Sequence, residues 1–409
     1  MTPQHSGAGA ASVPGPAPPP APSDPAAPLT RAETVGEVTF LHSSDWQLGM
    51  VRRFLGADAQ ARFGQARIDA IARIGAVAAE VGAAFVVVAG DVFDANQVDR
   101  QVVLRACEAL RAVPCPVYLL PGNHDALEPG SVWMCPTVRH HLPSHVEVLS
   151  DSRPRAAAPG VEVIGVPWRT RRPHADPVLA DLTPPPARPG VRRVLVGHGQ
   201  VDSLMPDAHL ATTIALDGLQ ELLADGAVDY VALGDRHSRT PIGRTGRVWY
   251  SGSPEPTRPE EEAPGDVLVV TLADGSCRVT PVPVATWRLV SHVAEIDGPR
   301  DLDDLEAWLA ELPDKTRTVV RLGVRGTLSI ADRTRLELLL DANADLFGAL
   351  RRWEPHWDVV PRPDDDTLDA MPLAGAARAA LDELRSATGG GDDEAGDALL
   401  LLHRLAQGA

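Results

Sequence analysis

The sequence predicts an α/β layered domain followed by a smaller α+β module. Three observations predict it. From Val38 onward, short apolar runs alternate with helical stretches, the pattern of a sheet covered by helices. Several runs end in Gly-Asp, Gly-Asn or Gly-His, and ligands in such sheets sit beyond the carboxyl ends of the strands. Near residue 285 the alternation changes character and a second, shorter series begins.

The elements follow in order. Val38 to His42 reads as a strand. Gln60 to Val81 reads as a helix, because Ile68, Ile71, Ile74 and Val77 recur near a 3.6 period. Phe85 to Ala89 is a buried strand, Val98 to Ala112 a helix and Val117 to Leu120 a strand. Val161 to Val166, Val194 to Val196, Tyr230 to Leu233 and Val267 to Leu272 continue the strand series. In the second module Trp287 to Ile296, Thr318 to Val324 and Trp357 to Val360 read as strands, with helices at Leu302 to Leu312 and Ala331 to Ala342. Residues 362 to 397 are acidic and Gly-rich, and an amphipathic stretch, Ala395 to Leu405, follows. Residues 1 to about 35 are rich in Pro, Ala and Gly and cannot bury enough apolar surface to offset their ordering entropy. The expected division is a disordered leader over 1–36, a principal domain over 37–284, the α+β module over 285–361, and an acidic linker with a C-terminal helix over 362–409.

Composition excludes some classes. The chain has 409 residues, 44% of them hydrophobic, which suits a globular protein with a substantial core. No apolar run approaches the roughly 18 residues that span a bilayer, and no secretory pattern opens the sequence, so no membrane association and a cytoplasmic location are expected. Cys107, Cys115, Cys135 and Cys277 show no C-x-x-C pairing and read as reduced thiols. The net charge of −17 argues against a nucleic-acid partner when taken alone. Yet arginines gather at Arg169, Arg171 and Arg172 and again at Arg236, Arg239, Arg244 and Arg247, so a local basic groove stays open.

The chemistry lies in five short signatures at strand ends: Asp45-Trp46-Gln47, Gly90-Asp91-Val92-Phe93-Asp94, Gly122-Asn123-His124-Asp125, Gly197-His198-Gly199 and Gly234-Asp235-Arg236-His237. Each sets a carboxylate, amide or imidazole just after an apolar strand. Oxygen and nitrogen donors of this mix suit Mn²⁺, Fe²⁺ or Zn²⁺. The glycines are expected to turn the backbone so that the next side chain enters the site. Any one signature alone reads as a turn or a structural histidine; all five in this order are hard to explain as packing.

The stretches FLHSSDWQLG, VVAGDVFD, LLPGNHD, LVGHGQV, YVALGDRH and YSGSPEP resemble the calcineurin-like metallophosphoesterase superfamily. More closely they resemble its SbcD group, the nuclease subunit of bacterial double-strand-break repair complexes. The resemblance covers roughly residues 37 to 360. It implies a layered β-sandwich flanked by helices with a small α+β cap that recognises DNA. It implies two divalent metal ions bridged by Asp91. The first would take Asp45, Gln47 and His237, and the second Asn123, His198 and Asp235. His124 would face the substrate as the catalytic group, paired with the carboxylate of Asp94. Tyr250 and Ser253 fall in what resembles the substrate-side loop. A homodimer, a DNA substrate and a coiled-coil ATPase partner of the SbcC type are also implied. This chain departs from the family pattern twice, with Gln47 where His is usual and Asp235 where another His is usual. The donor set becomes richer in oxygen, which predicts a shift toward Mn²⁺.

The expected activity is Mn²⁺-dependent cleavage at DNA ends. A small-molecule phosphodiesterase or phosphatase is the alternative, and a non-catalytic DNA-end scaffold with a weakened metal site is a third reading. Some residues keep two readings. Arg236 holds a phosphate oxygen or is a solvent-exposed loop arginine. Trp46 packs beneath the site, the favoured reading, or stacks on a base. Trp168 with its neighbouring arginines tracks a DNA strand or forms an ordinary loop. Arg317, Arg321, Arg325, Arg333 and Arg335 are the DNA-contact candidates of the second module. The C-terminal amphipathic stretch closes onto its own domain in preference to docking on the ATPase. His140 and His141 carry no motif and read as surface residues.

Overall fold

Alternate residues of each strand face two different cores, and this alternation builds the layers. In β1 (Val38–Ser43), Phe40 points into one core and Leu41 into the other. The computed structural model describes residues 36–172, 174–183, 186–205, 213–362, 368–390 and 392–406. The leader expected over 1–36 lies, but for Gly36, outside the described residues, as do 363–367 at the start of the expected linker.

β1 lies beside β2 (Val86–Val88), which is followed by β3 (Val117–Leu119) and β4 (Val146–Val148), all parallel. On its other side β1 pairs antiparallel with β11 (Asp266–Ala273), which pairs antiparallel with β12 (Ser276–Pro283). The second sheet has the order β5 (Arg155–Ala158), β6 (Val161–Gly165), β7 (Arg192–His198), β8 (Tyr230–Gly234), β10 (Val248–Tyr250), β9 (Thr240–Ile242). Its centre, β6 to β8 with β10, is parallel.

Phe40, Phe85, Val87 and Tyr118 from the first sheet meet Val163, Val194, Val196 and Tyr230 from the second. Phe40 and Phe85 stack with centroids 4.8 Å apart. The outer face of the first sheet is covered by α1 (Ala57–Val81), through Ile68, Ile71 and Ile74, and by α2 (Arg100–Leu110). The outer face of the second packs on Leu219 of α4 (Leu216–Ala224). A short α3 (Pro136–His141) adds Val138 to the first outer core. The result is helix, sheet, sheet, helix, the layered α/β architecture the sequence predicts. Each fully buried Leu, Ile or Phe in these layers contributes about 1.5–3 kcal/mol.

A third sheet, β13 (Arg288–Glu295), β14 (Thr318–Ser329) and β15 (Ala349–Arg362), is wholly parallel. α5 (Pro299–Glu311) and α6 (Ile330–Ala344) close one face over Leu302, Leu305, Leu322 and Val324. Trp287 and Val319 instead pack with Phe63 and Ala66 of α1.

Where a linker was expected, α7 (Ala376–Gly389) forms, and α8 (Asp393–Ala406) follows it. Leu381 and Leu399 bury against Ile330, Leu368 and Met371. The helical spacing of Ala377, Leu381 and Leu384 was the signal, hidden by the acidic residues Asp382 and Glu383 between the leucines. Among the described residues no helix is long and apolar enough to cross a membrane.

Candidate metal centre

The parallel strands of the two stacked sheets end on one side, and the five signatures sit there. Asp45 follows β1, Asp91 follows β2, Asn123 and His124 follow β3, His198 is the last residue of β7, and Asp235 and His237 follow β8. The first two loops are zipped together by main-chain hydrogen bonds from Asp45 N to Gly90 O, Gln47 N to Asp91 O and Leu48 N to Val92 O, at 3.0, 2.9 and 2.9 Å.

Of the five described non-glycine residues with positive φ, four are candidate ligands and the fifth is Asp314. Asp45, Gln47, Asp91 and Asp235 have φ of +53°, +51°, +53° and +93°. Such conformations cost on the order of 1–3 kcal/mol each and persist where surrounding structure over-determines them. The glycines serve a further purpose. A Cβ at Gly122 would lie 2.3 Å from Asp91 Oδ1, and one at Gly90 would lie 2.1 Å from His198 Nδ1. Close approach is needed at both positions, and a sharp turn only at Gly90, where φ is +89°.

Asp91 stands at the centre. Its Oδ2 accepts from Gln47 Nε2 at 2.9 Å and its Oδ1 accepts from the His124 main-chain N–H at 2.9 Å. His198 Nε2 lies 3.4 Å from Asp91 Oδ1 and 3.6 Å from Asp235 Oδ1. His237 Nε2 lies 3.8 Å from Asp45 Oδ1. Asp45, Asp91 and His198 are buried and offer ligand atoms within 4.8 Å of one another, a group that could hold a metal ion.

Two further observations fit a cation. Gln47 Oε1 is buried without a hydrogen-bond partner, a state that carries a full desolvation penalty. His198 donates from Nδ1 to the Ala89 carbonyl at 2.8 Å, while its Nε2 meets Asn123 Oδ1 at 3.0 Å. With Nδ1 protonated, a neutral ring would set two lone pairs against each other. A proton on Nε2 or a cation shared by both atoms resolves this. Burial pulls the His198 pKa down, but Asp91, Asp235 and Asp45 outweigh it and raise it to about 9. Burial raises the Asp45 carboxyl to about 6 against the pull of His237 and His198. The same crowding of carboxylates and imidazoles favours a bound cation, which takes the place of those protons.

Asp235 Oδ2 accepts a hydrogen bond from Gln200 Nε2. An open cavity of about 470 Å³ runs over this floor, lined by Asp91, Asn123, His124, Asp235, Arg236 and His237. All seven expected ligands therefore gather here, and Arg236 faces the same cavity with its Nε donating to Thr240 Oγ1 at 2.8 Å.

Three expectations are corrected. His124 does not hydrogen-bond to the Asp94 carboxylate. Its Nδ1 bonds the Asp94 main-chain carbonyl at 2.8 Å, and burial raises the Asp94 carboxyl pKa. Tyr250 is fully buried, with its hydroxyl donating to Gly199 O at 2.7 Å and accepting from Val201 N at 2.9 Å. Ser253 is fully buried and its hydroxyl lies 2.8 Å from Asp45 O and 2.7 Å from Glu255 O. Neither reaches a substrate; both brace the loops that carry Asp45 and His198. Both sit in a stretch read as one loop, where buried and exposed positions look alike in sequence.

Trp46 packs, buried, with its indole N–H donating to Ser43 Oγ at 2.9 Å. Trp168 donates to the His198 carbonyl at 2.6 Å, so its indole N–H is committed to the site's backbone. Arg171 lies 3.4 Å from Glu128, and its guanidinium donates to the His124 carbonyl at 3.1 Å.

Sequence reasoning placed Asp125 in the third signature without giving it a role, and it missed Arg67. Asp125 is fully buried and accepts from Gly122 N at 2.7 Å and Phe93 N at 3.0 Å, joining two ligand loops. Arg67 is buried and donates to Trp46 O, Pro256 O and Glu255 O at 3.1, 2.8 and 3.4 Å. Burial lowers its pKa to about 10, partly offset by Glu255. The available signal was a cation on the apolar stripe of α1, between Phe63 and Ile71.

Comparison with solved structures finds similarity to TT1561 of Thermus thermophilus, at 10% identity and a TM-score of 0.35, covering 60% of this chain and 98% of that one. It also finds a dimetal phosphatase from Danio rerio, at 13% identity and a TM-score of 0.36, covering 60% and 99%. No curated protein matches the chain. The profile of the calcineurin-like phosphoesterases matches residues 38–254, the span that carries all five signatures and more than half of the chain, and on that match the chain belongs to the calcineurin-like phosphoesterase family.

Proposed function

We propose that this protein hydrolyses phosphodiesters with a pair of divalent cations, Mn²⁺ preferred, and that its substrate is DNA cut at ends. The observation that carries the reading is the convergence of Asp45, Gln47, Asn123, His198, Asp235 and His237 around the buried carboxylate of Asp91. Asp45, Gln47, Asp91 and His237 would hold one cation, and Asp91, Asn123, His198 and Asp235 the other. Bound cations supply charge neutralisation of the phosphate and a lowered pKa for water. Arg236 faces the cavity and orients a phosphate oxygen. His124, fastened at Nδ1 by the Asp94 carbonyl, keeps Nε2 for the substrate; protonated there, the ring donates to a developing oxyanion or the leaving oxygen.

The DNA reading is supported by the motif resemblance, and the third sheet is fastened to the cavity rim through one of its arginines. Arg321 of β14 lies over the Trp353 ring at 4.0 Å and bonds Glu260 on the cavity rim at 2.5 Å. A homodimer, an SbcC-type ATPase partner and a cytoplasmic location belong to the same proposal. A small phosphodiester is the second reading. Glu260, Glu261 and Glu262 line the cavity, and carboxylates there repel a polyanion.

Digestion of linear duplex DNA with Mn²⁺, Mg²⁺ and Zn²⁺, run beside turnover of an aryl phosphodiester, separates the two. We expect DNA loss from ends, fastest with Mn²⁺. Turnover of the small ester with intact DNA would reject the DNA substrate. Gln47→His should tighten Zn²⁺ relative to Mn²⁺, because imidazole replaces a neutral oxygen. An unchanged ratio of dissociation constants would show that position 47 is not a ligand.

A further inference from the structure

His237 is held differently from His198, and the difference lies beyond the family-matched stretch 38–254. Its Nδ1 sits 2.6 Å from Thr257 Oγ1 and 3.1 Å from Glu261 Oε1. The Thr257 hydroxyl itself donates to Glu261 Oε1, and Thr257 N donates to Glu261 Oε2 at 2.9 Å. A carboxylate only accepts, and the threonine proton is already committed. Nδ1 must therefore carry a proton and share it between the two oxygens. That leaves Nε2, on the Asp45 side, as the free lone pair. The Glu261 side chain is 7% exposed and the His237 side chain 19%, so water competes little for these bonds.

The turn that carries the pair is rigidly mounted. Arg67 holds the Glu255 and Pro256 carbonyls. The Glu255 carboxylate accepts from Thr286 N and Trp287 N at 3.0 Å each. Glu260 pairs with Arg321 of the third sheet. By contrast, His198 Nδ1 is held only by the neutral carbonyl of Ala89. A ring hydrogen-bonded to a carboxylate is a more basic ligand and is fixed in orientation.

Resting on the metal reading above, we propose that Glu261, with Thr257, is a positioning residue that locks the tautomer of His237. The metal position on the His237 side then depends on this turn, and the one on the His198 side does not. Glu261→Gln keeps the size but leaves one oxygen to do the work of two.

Nitrogen-15 NMR of the metal-free protein, at a pH where the ring is neutral, should show His237 protonated at Nδ1 in the wild type. In E261Q it should show both tautomers. In calorimetric titration with Mn²⁺, one of two sites should weaken by about tenfold or more in E261Q while the other keeps its affinity. Thr257→Val should move both readouts the same way, and it carries the test if the glutamine variant fails to fold. Unchanged ring shifts with two wild-type sites would overturn the assignment alone. A wild type with the locked tautomer but no Mn²⁺ uptake would overturn the metal reading and leave the tautomer assignment standing, so the two failures are distinguishable.

Discussion

Asp91→Asn should abolish metal binding and hydrolysis together. The substitution keeps the shape of the side chain and removes the charge at the centre of the site. It also turns one acceptor into a donor. Both oxygens now accept, one from Gln47 Nε2 and one from His124 N, so an amide nitrogen in either place faces another donor. His198 and His237 lose the central anion that helps to raise their pKa values. Outer-shell substitutions around metals cost about 10–100-fold in affinity, and loss of the central ligand should cost more than that. Calorimetric titration with Mn²⁺ and a phosphodiester assay check both halves, with circular dichroism to establish the fold. Two Mn²⁺ per chain at wild-type affinity would remove Asp91 from the centre of the site.

His124→Ala should separate the chemistry from the metals. The ring is 45% exposed on the cavity and 3.9 Å from Asp91 Oδ2. The hydrogen bond that the residue gives Asp91 comes from its main chain and survives the substitution. Metal affinity should therefore stay within a few-fold of wild type. The catalytic rate constant should fall by about 10²–10⁴-fold, the usual contribution of a positioned acid or base. Wild-type turnover in this variant would assign His124 to packing. An equal loss of metal would make it a part of the metal centre instead.

The two variants probe roles that differ in how visible they were. Asp91 follows a buried strand after glycine, and that local grammar announces a strand-end ligand. The orientation of His124 was not visible. Its partner is a peptide carbonyl rather than the nearby carboxylate, and any residue at position 94 would supply a carbonyl. Tyr250 and Ser253 were misplaced for a related reason. Their hydroxyls serve main-chain atoms of Gly199, Val201 and Asp45, and a main-chain partner leaves no mark on the composition of either segment.

The alternation of the main strands and helices and the seven gathered donors could be read from the chain alone, whereas β4, β5, β9, β10, β12, α3, α4 and α7 could not. Periodicity near 3.6 or 2 and polar residues at strand ends are local properties, fixed by the geometry of helix and strand. The tertiary structure decided what depends on separation. The antiparallel addition of β11 and β12 beside β1, the positive-φ backbone of four candidate ligands, and the braces from Arg67, Asp125 and Glu261 arise where distant segments meet. Those contacts are hydrogen bonds whose direction and partner follow from packing, and packing is a property of the whole fold rather than of any window along it.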